Sequence, residues 1–383
     1  MATRLPRRPA RRGPWVKRVL IIGGGIGGLT AAIALRRKGF AVDLIERDPD
    51  WSVYGVGIIQ QGNVIRAVAE LGILDDYVEA GFPFNELEIG APDGRVIARV
   101  PSPRLLPQYP ANLGIGRRAL QKVLADRALA AGVSVRLGVT AEHFEDDGKR
   151  VRVTFVDGSQ GDWDIVVGAD GLYSQTRQQI FPDSPVPRFV GQSVWRYNLP
   201  RLPELTALRV YEGPKGVGLV PLSRELMYMY LTTAEPENPR YARNGLASRM
   251  REKLADTPPA MRTLGEQITD DFAVVYKPLE AIFLEGHWHK GRIVLIGDAV
   301  HTTTPHLGQG AGMAIEDSLV LAEELARASD PETAFEALRA RRYERCRYIV
   351  EASLAICEAQ VSGRRVDQKA ATQQMFEVVA QPI

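Results

Sequence analysis

The stretch Lys17-Arg18-Val19-Leu20-Ile21-Ile22-Gly23-Gly24-Gly25-Ile26-Gly27-Gly28-Leu29 decides how the chain begins to fold. Lys17–Ile22 is a short apolar run of the kind a buried strand carries. Leu29–Lys38 has helical periodicity, Gly39 stops it, and Ala41–Arg47 reads as the next strand. The product is a β-α-β unit with a glycine turn at its first corner. Gly23, Gly25 and Gly28 match the spacing G-x-G-x-x-G. The first glycine permits the tight turn, the second lets a pyrophosphate approach the backbone, and the third lets helix and strand pack closely. The helix start offers free N–H groups and a positive dipole end to phosphate. Glu46, with Arg47 beside it, closes the second strand 23 residues after Gly23. A carboxylate there can accept from both ribose hydroxyls of an adenosine and would repel a 2′-phosphate. The unit reads as a dinucleotide site and by itself leaves FAD and NAD open. A ligand-free glycine loop with a solvated strand-end acid is the plainer alternative.

Outward from this unit, Gly62–Leu74 and Arg117–Ala130 read as amphipathic helices, and Ser134–Leu137, Val151–Val156 and Asp162–Val167 as strands. Between 186 and 285 the texture turns β-rich, with runs at Ala207–Tyr211, Gly216–Pro221, Met227–Thr232 and Phe272–Pro278 around one polar helix, Arg243–Asp256. Gly291–Ile296 restores a buried strand, and helices follow at Ala311–Ala328 and Glu332–Gln360. The expected fold class is therefore α/β. A discontinuous Rossmann-like domain takes 17–80, 110–185 and 286–330. An inserted β-sheet-rich substrate domain takes 81–109 and 186–285, and a C-terminal helical segment takes 331–383.

The 383 residues are 45% hydrophobic and 25% charged, ordinary for a soluble globular protein. No apolar run reaches the length of a membrane span. Residues 1–16 read as a basic disordered tail; within residues 1–18, Arg4, Arg7, Arg8, Arg11, Arg12, Lys17 and Arg18 carry charge with no acid among them. Without those seven the chain has five more acids than bases, which argues against a nucleic-acid surface. Cys346 and Cys357 lie eleven positions apart on a helical stretch, about 16 Å and too far for a disulfide. That usage fits a cytoplasmic protein. The histidines at 143, 287, 289, 301 and 306 show no metal-ligand spacing.

Two further segments carry a family likeness. One is Asp164-Ile165-Val166-Val167-Gly168-Ala169-Asp170-Gly171, followed by Ser174 and Arg177. The other is Gly297-Asp298-Ala299-Val300-His301, followed by Pro305, Gly308-Gln309-Gly310 and Glu316-Asp317. In this order and spacing the chain resembles the group A FAD-dependent aromatic hydroxylases, which share the para-hydroxybenzoate hydroxylase fold. Its nearest flavour is the salicylate hydroxylase and 6-hydroxynicotinate 3-monooxygenase branch. The resemblance implies a FAD-binding domain of the second glutathione-reductase type and non-covalent FAD. It also implies NADH or NADPH as a transient co-substrate, and hydroxylation of a small aromatic or heteroaromatic ring through a flavin C4a-hydroperoxide made from O2. It places Asp298 against the ribityl hydroxyls, and the N–H groups of Gln309 and Gly310, after Gly308, against the flavin N1–C2 carbonyl. It makes Pro305 a wall near C4a, sets Asp170 near the pyrophosphate and the nicotinamide, and has Arg117 reach the FAD. Apart from the family, Asp170 reads as a turn acid and Arg117 as a surface helix charge. Gly312 stands where many relatives carry Asn. With no second glycine fingerprint, a separate nicotinamide domain is not expected.

The β-rich insert should floor the substrate pocket. Arg196 could bind an acidic substituent and Tyr211 could hydrogen-bond a ring hydroxyl, with Trp195, Tyr197, Tyr228 and Tyr230 nearby in sequence or strand. Aromatics at strand spacing are equally read as packing. His301 reads either as an acid/base near the flavin or as a structural hydrogen-bonder. Tyr54 precedes a segment expected to border the far edge of the flavin. The expected partners are a small aromatic substrate and O2, with no nucleic acid and no membrane span, and a homodimer as an expected assembly. A non-hydroxylating flavin oxidoreductase or epoxidase of the same fold is the competing reading. A FAD-binding regulator and a plain NAD dehydrogenase stand behind it.

Overall fold

The structure, a computed structural model, describes residues 17–211, 215–364 and 366–383; the expected basic tail lies outside the described residues. The Arg18–Ile22 strand lies inside a six-stranded sheet, between Ala41–Glu46 and Ile165–Gly168. Ser134–Leu137 forms one edge, and Ile293–Leu295 then His289–Lys290 the other. Every pairing is parallel except that last one. Val19, Leu20 and Ile21 have no exposed surface, because layers cover both faces, and this is why the strands read as unbroken apolar runs. The helices Ile26–Arg37 and Gly310–Arg327 pack closely on one face. Small residues allow the approach, and Thr30 Oγ1 meets Ser318 Oγ at 2.9 Å.

A seven-stranded sheet stands beside it in the order Val275–Ala281, Arg188–Pro200, Leu226–Ala234, Val217–Pro221, Leu208–Tyr211, Glu86–Gly90, Val96–Pro101. Alternation along these strands gives the sheet two distinct faces. Trp195, Tyr197, Tyr211, Leu219, Met227 and Met229 share a core with the helices Leu246–Lys253 and Pro259–Gly265. Val220 and Tyr228 face the other way, against Val56, with Tyr230 packed beside them. The 31-residue helix Pro331–Val361 runs past both sheets, and a further helix, Gln368–Ala380, closes the chain.

Several elements differ from expectation. The run Asp162–Val167 is two strands, Gln160–Trp163 in a three-stranded sheet and Ile165–Gly168 in the main one. Asp164 forms the corner between them and accepts the Arg18 N–H at 2.7 Å. The helix expected over Gly62–Leu74 breaks after Glu70, where Gly72 turns at φ +71°. The polar helix is shorter, Leu246–Lys253, because Gly245 is left-handed at φ +90° and Asp271 accepts the Gly245 and Ala247 N–H groups. The strand expected at Phe272 starts at Val275, since Asp270 holds the Phe272 N–H in a turn. The 13-residue strand Arg188–Pro200 does not alternate as one run in the sequence, because the register shifts between Phe189 and Ser193, around Gly191 at φ +81°. No helix among the described residues is long and apolar enough to cross a membrane.

Candidate active site

Close contacts at glycine draw the separated motifs into one cleft. A Cβ at Gly23 would collide with Ala169 O, and one at Gly28 with Gly23 O, so this turn closes only with hydrogen in both places. A Cβ at Gly25 would meet nothing within 4 Å, and no side chain caps the helix behind it. Unclaimed N–H groups therefore face open space. Ala314 lies 3.4 Å from the Cβ position of Gly27 and 3.0 Å from that of Gly297. The glycine turn, the Gly297-Asp298 turn and the start of the Gly310 helix thus meet around one small side chain.

At the outer end, Glu46 Oε2 accepts the Gly24 N–H at 2.7 Å and Oε1 accepts the Asp48 N–H at 2.9 Å, which fixes the carboxylate beside the turn. Trp51 Nε1 and Gln121 Nε2 both donate to Gly24 O at 2.8 Å. A cavity of about 420 Å³ opens beside them, lined by Trp51, Val53, Arg118 and Gln121. Arg47, the residue after Glu46, is exposed. An oriented carboxylate followed by an uncapped helix start with room before it suits an extended dinucleotide.

Asp170 is adjacent to Gly23, but its carboxylate is spent locally on Ser174 Oγ, Thr176 N–H and Thr176 Oγ1. What it supplies directly is a rigid turn. Arg177, buried there, donates to Ala299 O and Leu172 O at 2.9 Å and so ties this turn to the Asp298 segment. Asp298 itself stands open at the cleft floor. The protein mass around it pushes its pKa up, opposed by the charges of His301, Arg117 and Lys277. Arg117 passes over Gly55, where a Cβ would crowd its Cδ at 2.7 Å, and it senses both Asp298 and Tyr228. Tyr54 is exposed beside that loop.

Pro305 opens a 3-10 turn, Pro305–Leu307, that Gly308 ends at φ +67° with its N–H on Pro305 O. His306 is drawn inward, its Nε2 3.1 Å from Gln360 Oε1, and burial lowers its pKa to about 4. The helix Gly310–Arg327 starts with no side-chain cap. The Gln309 amide is turned away into a buried cluster with Asn63 and Gln61, so only backbone N–H groups at this helix start face the cleft. The absent side chain at Gly312 is also explained: a Cβ there would lie 2.8 Å from Gln309 Oε1 and 3.4 Å from Asn63 Nδ2. Asn63 supplies an amide from the neighbouring helix in that place, and Gly312 was its only trace in the sequence.

His301 is not at the open site. It is fully buried, with Nε2 2.7 Å from Asp317 Oδ2. Asp317 also accepts the Gly297 N–H at 3.0 Å and Arg342 Nε at 2.8 Å. Asp317 is held down at a pKa of about 2 by His301 and Arg342 against the cost of burial. His301, Asp317 and Cys346 approach within 4.8 Å of one another, a grouping their sequence spacing hid. The Arg342 guanidinium, 3.6 Å from Cys346 Sγ, already supplies the cation of this cluster. Its work is to brace the Asp298 turn. Cys346 and Cys357 are both buried and free.

On the seven-stranded sheet the expected substrate residues part company. Arg196 pairs across strands with Tyr230, and Tyr228 follows two residues earlier on the same face. Arg196 has no carboxylate or hydrogen-bond partner among the described residues. Burial pulls its pKa down, and Tyr228, Arg117 and Tyr230 surround it. Tyr211 lies on the opposite face, in the core with Met227 and Met229. The structure places Tyr211 behind the sheet, away from Arg196, so the expected contact with a ring hydroxyl does not fit its position; the tyrosines that share the Arg196 face are Tyr228 and Tyr230.

The fold and cleft define a flavin-dependent oxygenase. The chain belongs to the FAD binding domain family, whose model matches residues 17–354. It is 32% identical over 358 residues to YetM of Bacillus subtilis, a candidate FAD-dependent monooxygenase, covering 91% of this chain and 95% of that one. It is 33% identical to the 2-heptyl-3-hydroxy-4(1H)-quinolone synthase of Pseudomonas aeruginosa, over 79% of each chain. Klebsiella pneumoniae HpxO, solved with FAD and uric acid, superposes with a TM-score of 0.80 at 25% identity, covering 95% of this chain and 92% of that one. The present chain is accordingly a FAD-dependent monooxygenase with FAD as its cofactor.

Proposed function

We propose that this enzyme hydroxylates a small aromatic or heteroaromatic ring bearing an acidic or ionisable oxygen, at the expense of NADH or NADPH and O2. The observation that carries the reading is Arg196, a half-buried guanidinium with no protein anion among the described residues, opposite Tyr230 and on the face it shares with Tyr228, toward Arg117. A guanidinium that lines the cleft with no carboxylate of its own offers its planar fork of donors to an anionic oxygen on a ligand. The quinolone synthase above, a 3-hydroxybenzoate 6-hydroxylase of Aquipseudomonas alcaligenes and the uric acid complex all name flat rings with such oxygens.

Bound FAD supplies the redox chemistry, accepting hydride from the nicotinamide and activating oxygen. Glu46 and the Gly25 turn hold its adenosine and pyrophosphate, and Asp298 holds its ribityl chain. The first N–H groups of the Gly310 helix stabilise negative charge at the pyrimidine edge. Pro305 walls the reacting side. Arg196 orients the ring by its anionic oxygen and keeps that oxygen ionised, which makes the ring electron-rich. Tyr228 and Tyr230 exclude water and present phenols held protonated by burial. The segments 17–80, 110–185 and 286–330 act in this reading as the cofactor domain, and 81–109 with 186–285 as the substrate domain.

The test is a screen of aromatic acids, phenols and N-heterocycles for stimulation of NADH and NADPH oxidation, with labelled O2 traced into product. One ring class should accelerate flavin reduction and take up one labelled oxygen. Arg196→Ala should then lower kcat/KM by roughly tenfold to a hundredfold, the worth of one charge-assisted hydrogen bond. Label-free product would remove the monooxygenase reading for that substrate. An unchanged kcat/KM would remove Arg196.

A further inference from the structure

Resting on the reading that the start of the Gly310 helix faces the flavin, we infer that Asn63 is a positioning residue that keeps that helix end open for the cofactor. Gln309 occupies the N-cap position of the Gly310–Arg327 helix yet makes no cap hydrogen bond. Its amide is clasped from both sides: Asn63 Nδ2 donates to Gln309 Oε1 at 3.0 Å, and Gln309 Nε2 donates to Asn63 Oδ1 at 3.2 Å and also to Gln61. Asn63 also donates to Glu316 Oε1 at 3.0 Å, so one side chain grips the helix at two points a pair of turns apart. Asn63, Gln309 and Glu316 are each 1% exposed. Gly312 provides the gap through which the clasp reaches.

The clasp has a chemical purpose. An oxygen at the N-cap position is the natural acceptor for the unpaired N–H groups of a first turn. The Gln309 carboxamide carries such an oxygen on a flexible stem. Left loose, it can fold over the helix end and accept the same N–H groups that the flavin carbonyl needs. Asn63 removes this internal competitor by holding Oε1 on the far side. The inference thus concerns a residue that touches no cofactor and acts only through Gln309.

Three readouts separate this from simple loss of packing. Asn63→Ala should raise the FAD dissociation constant roughly tenfold, as expected for a hydrogen-bonding site lost to a competitor. It should also make the midpoint potential of the bound flavin more negative, because the reduced flavin loses N–H donors. In the apoprotein, the amide hydrogens of Gly310, Ala311 and Gly312 should exchange more slowly in Asn63→Ala than in the native chain, since Gln309 now caps them. The decisive variant is the pair Asn63→Ala with Gln309→Ala: removing the competitor should restore most of the FAD affinity, whereas a packing defect would only deepen. Should Asn63→Ala fail to fold, Asn63→Ser, too short to clasp Gln309, gives the same readings. A double variant as weak as the single one, with amides 310–312 still protected by FAD in the native enzyme, overturns the role of Asn63 alone. Amides 310–312 that FAD does not protect at all overturn the flavin placement together with this inference.

Discussion

Arg196 and Tyr211 lie on one sheet with two strands between them, and both invite the same reading as substrate contacts. What separates them is a single step of strand alternation. Tyr211 is 6% exposed within the core behind the sheet, while Tyr228 is 6% exposed against Val56 and Val220 on the cofactor side. Mutation should separate them too. Tyr228→Phe should raise the peroxide released per NADH oxidised, because the pocket loses a phenol beside Arg196. Tyr211→Phe should leave that ratio unchanged, because its ring stays packed with Met227 and Met229 behind the sheet. An equal rise in peroxide for both would refute the assignment of faces. The sequence could not decide between these tyrosines, because the face of a strand is set by pairing with partners far along the chain.

Elements show the opposite balance. The first strand, glycine turn and helix were legible because their determinants are local: an apolar run, a spacing of glycines and a stopping glycine. The helix Arg117–Ala130 and the strand Ser134–Leu137 have the bounds that their periodicity sets. Boundaries failed where a distant side chain intervened, as Asp271 does at Gly245. The glycine turn also yields a paired prediction. Gly28→Ala drives a methyl into Gly23 O, and should destabilise the apoprotein by about 3 kcal/mol through overpacking. Gly25→Ala adds a methyl in open space at φ −81°, an ordinary value, so the apoprotein melt should move by less than about 0.5 kcal/mol. Its FAD affinity should nevertheless fall, because the methyl stands where the pyrophosphate approaches. Denaturant melts with flavin titration on both variants check the contrast, and a Gly25→Ala chain that binds FAD normally would contradict the placement.

At the scale of the whole molecule the groups proposed to hold the cofactor come from both ends of the chain: Glu46 and the first turn, Arg117, then Asp298 and the start of the Gly310 helix. A ligand that bridges such pieces stabilises the folded state by linkage, about 2.7 kcal/mol at a free concentration one hundred times its dissociation constant. Apoprotein should therefore melt at a temperature that climbs with added FAD, and a melt indifferent to FAD would contradict a site assembled in this way. The buried charges Asp317, Glu316, Arg342 and Arg345 knit the Gly310 and Pro331 helices together behind the site; their pairing was unreadable because the partners lie on different helices. The sheet adds a constraint of timing. Its parallel strands must wait for Ile293–Leu295 to dock beside Ile165–Gly168 before the Asp298 turn can exist. In the proposed placement, a ribosome delivers the adenosine half of the site early and the ribityl half some 250 residues later. Flavin capture is therefore an event of nearly finished polypeptide, and cells starved of riboflavin should accumulate full-length colourless protein, with no yellow nascent fragments on their ribosomes.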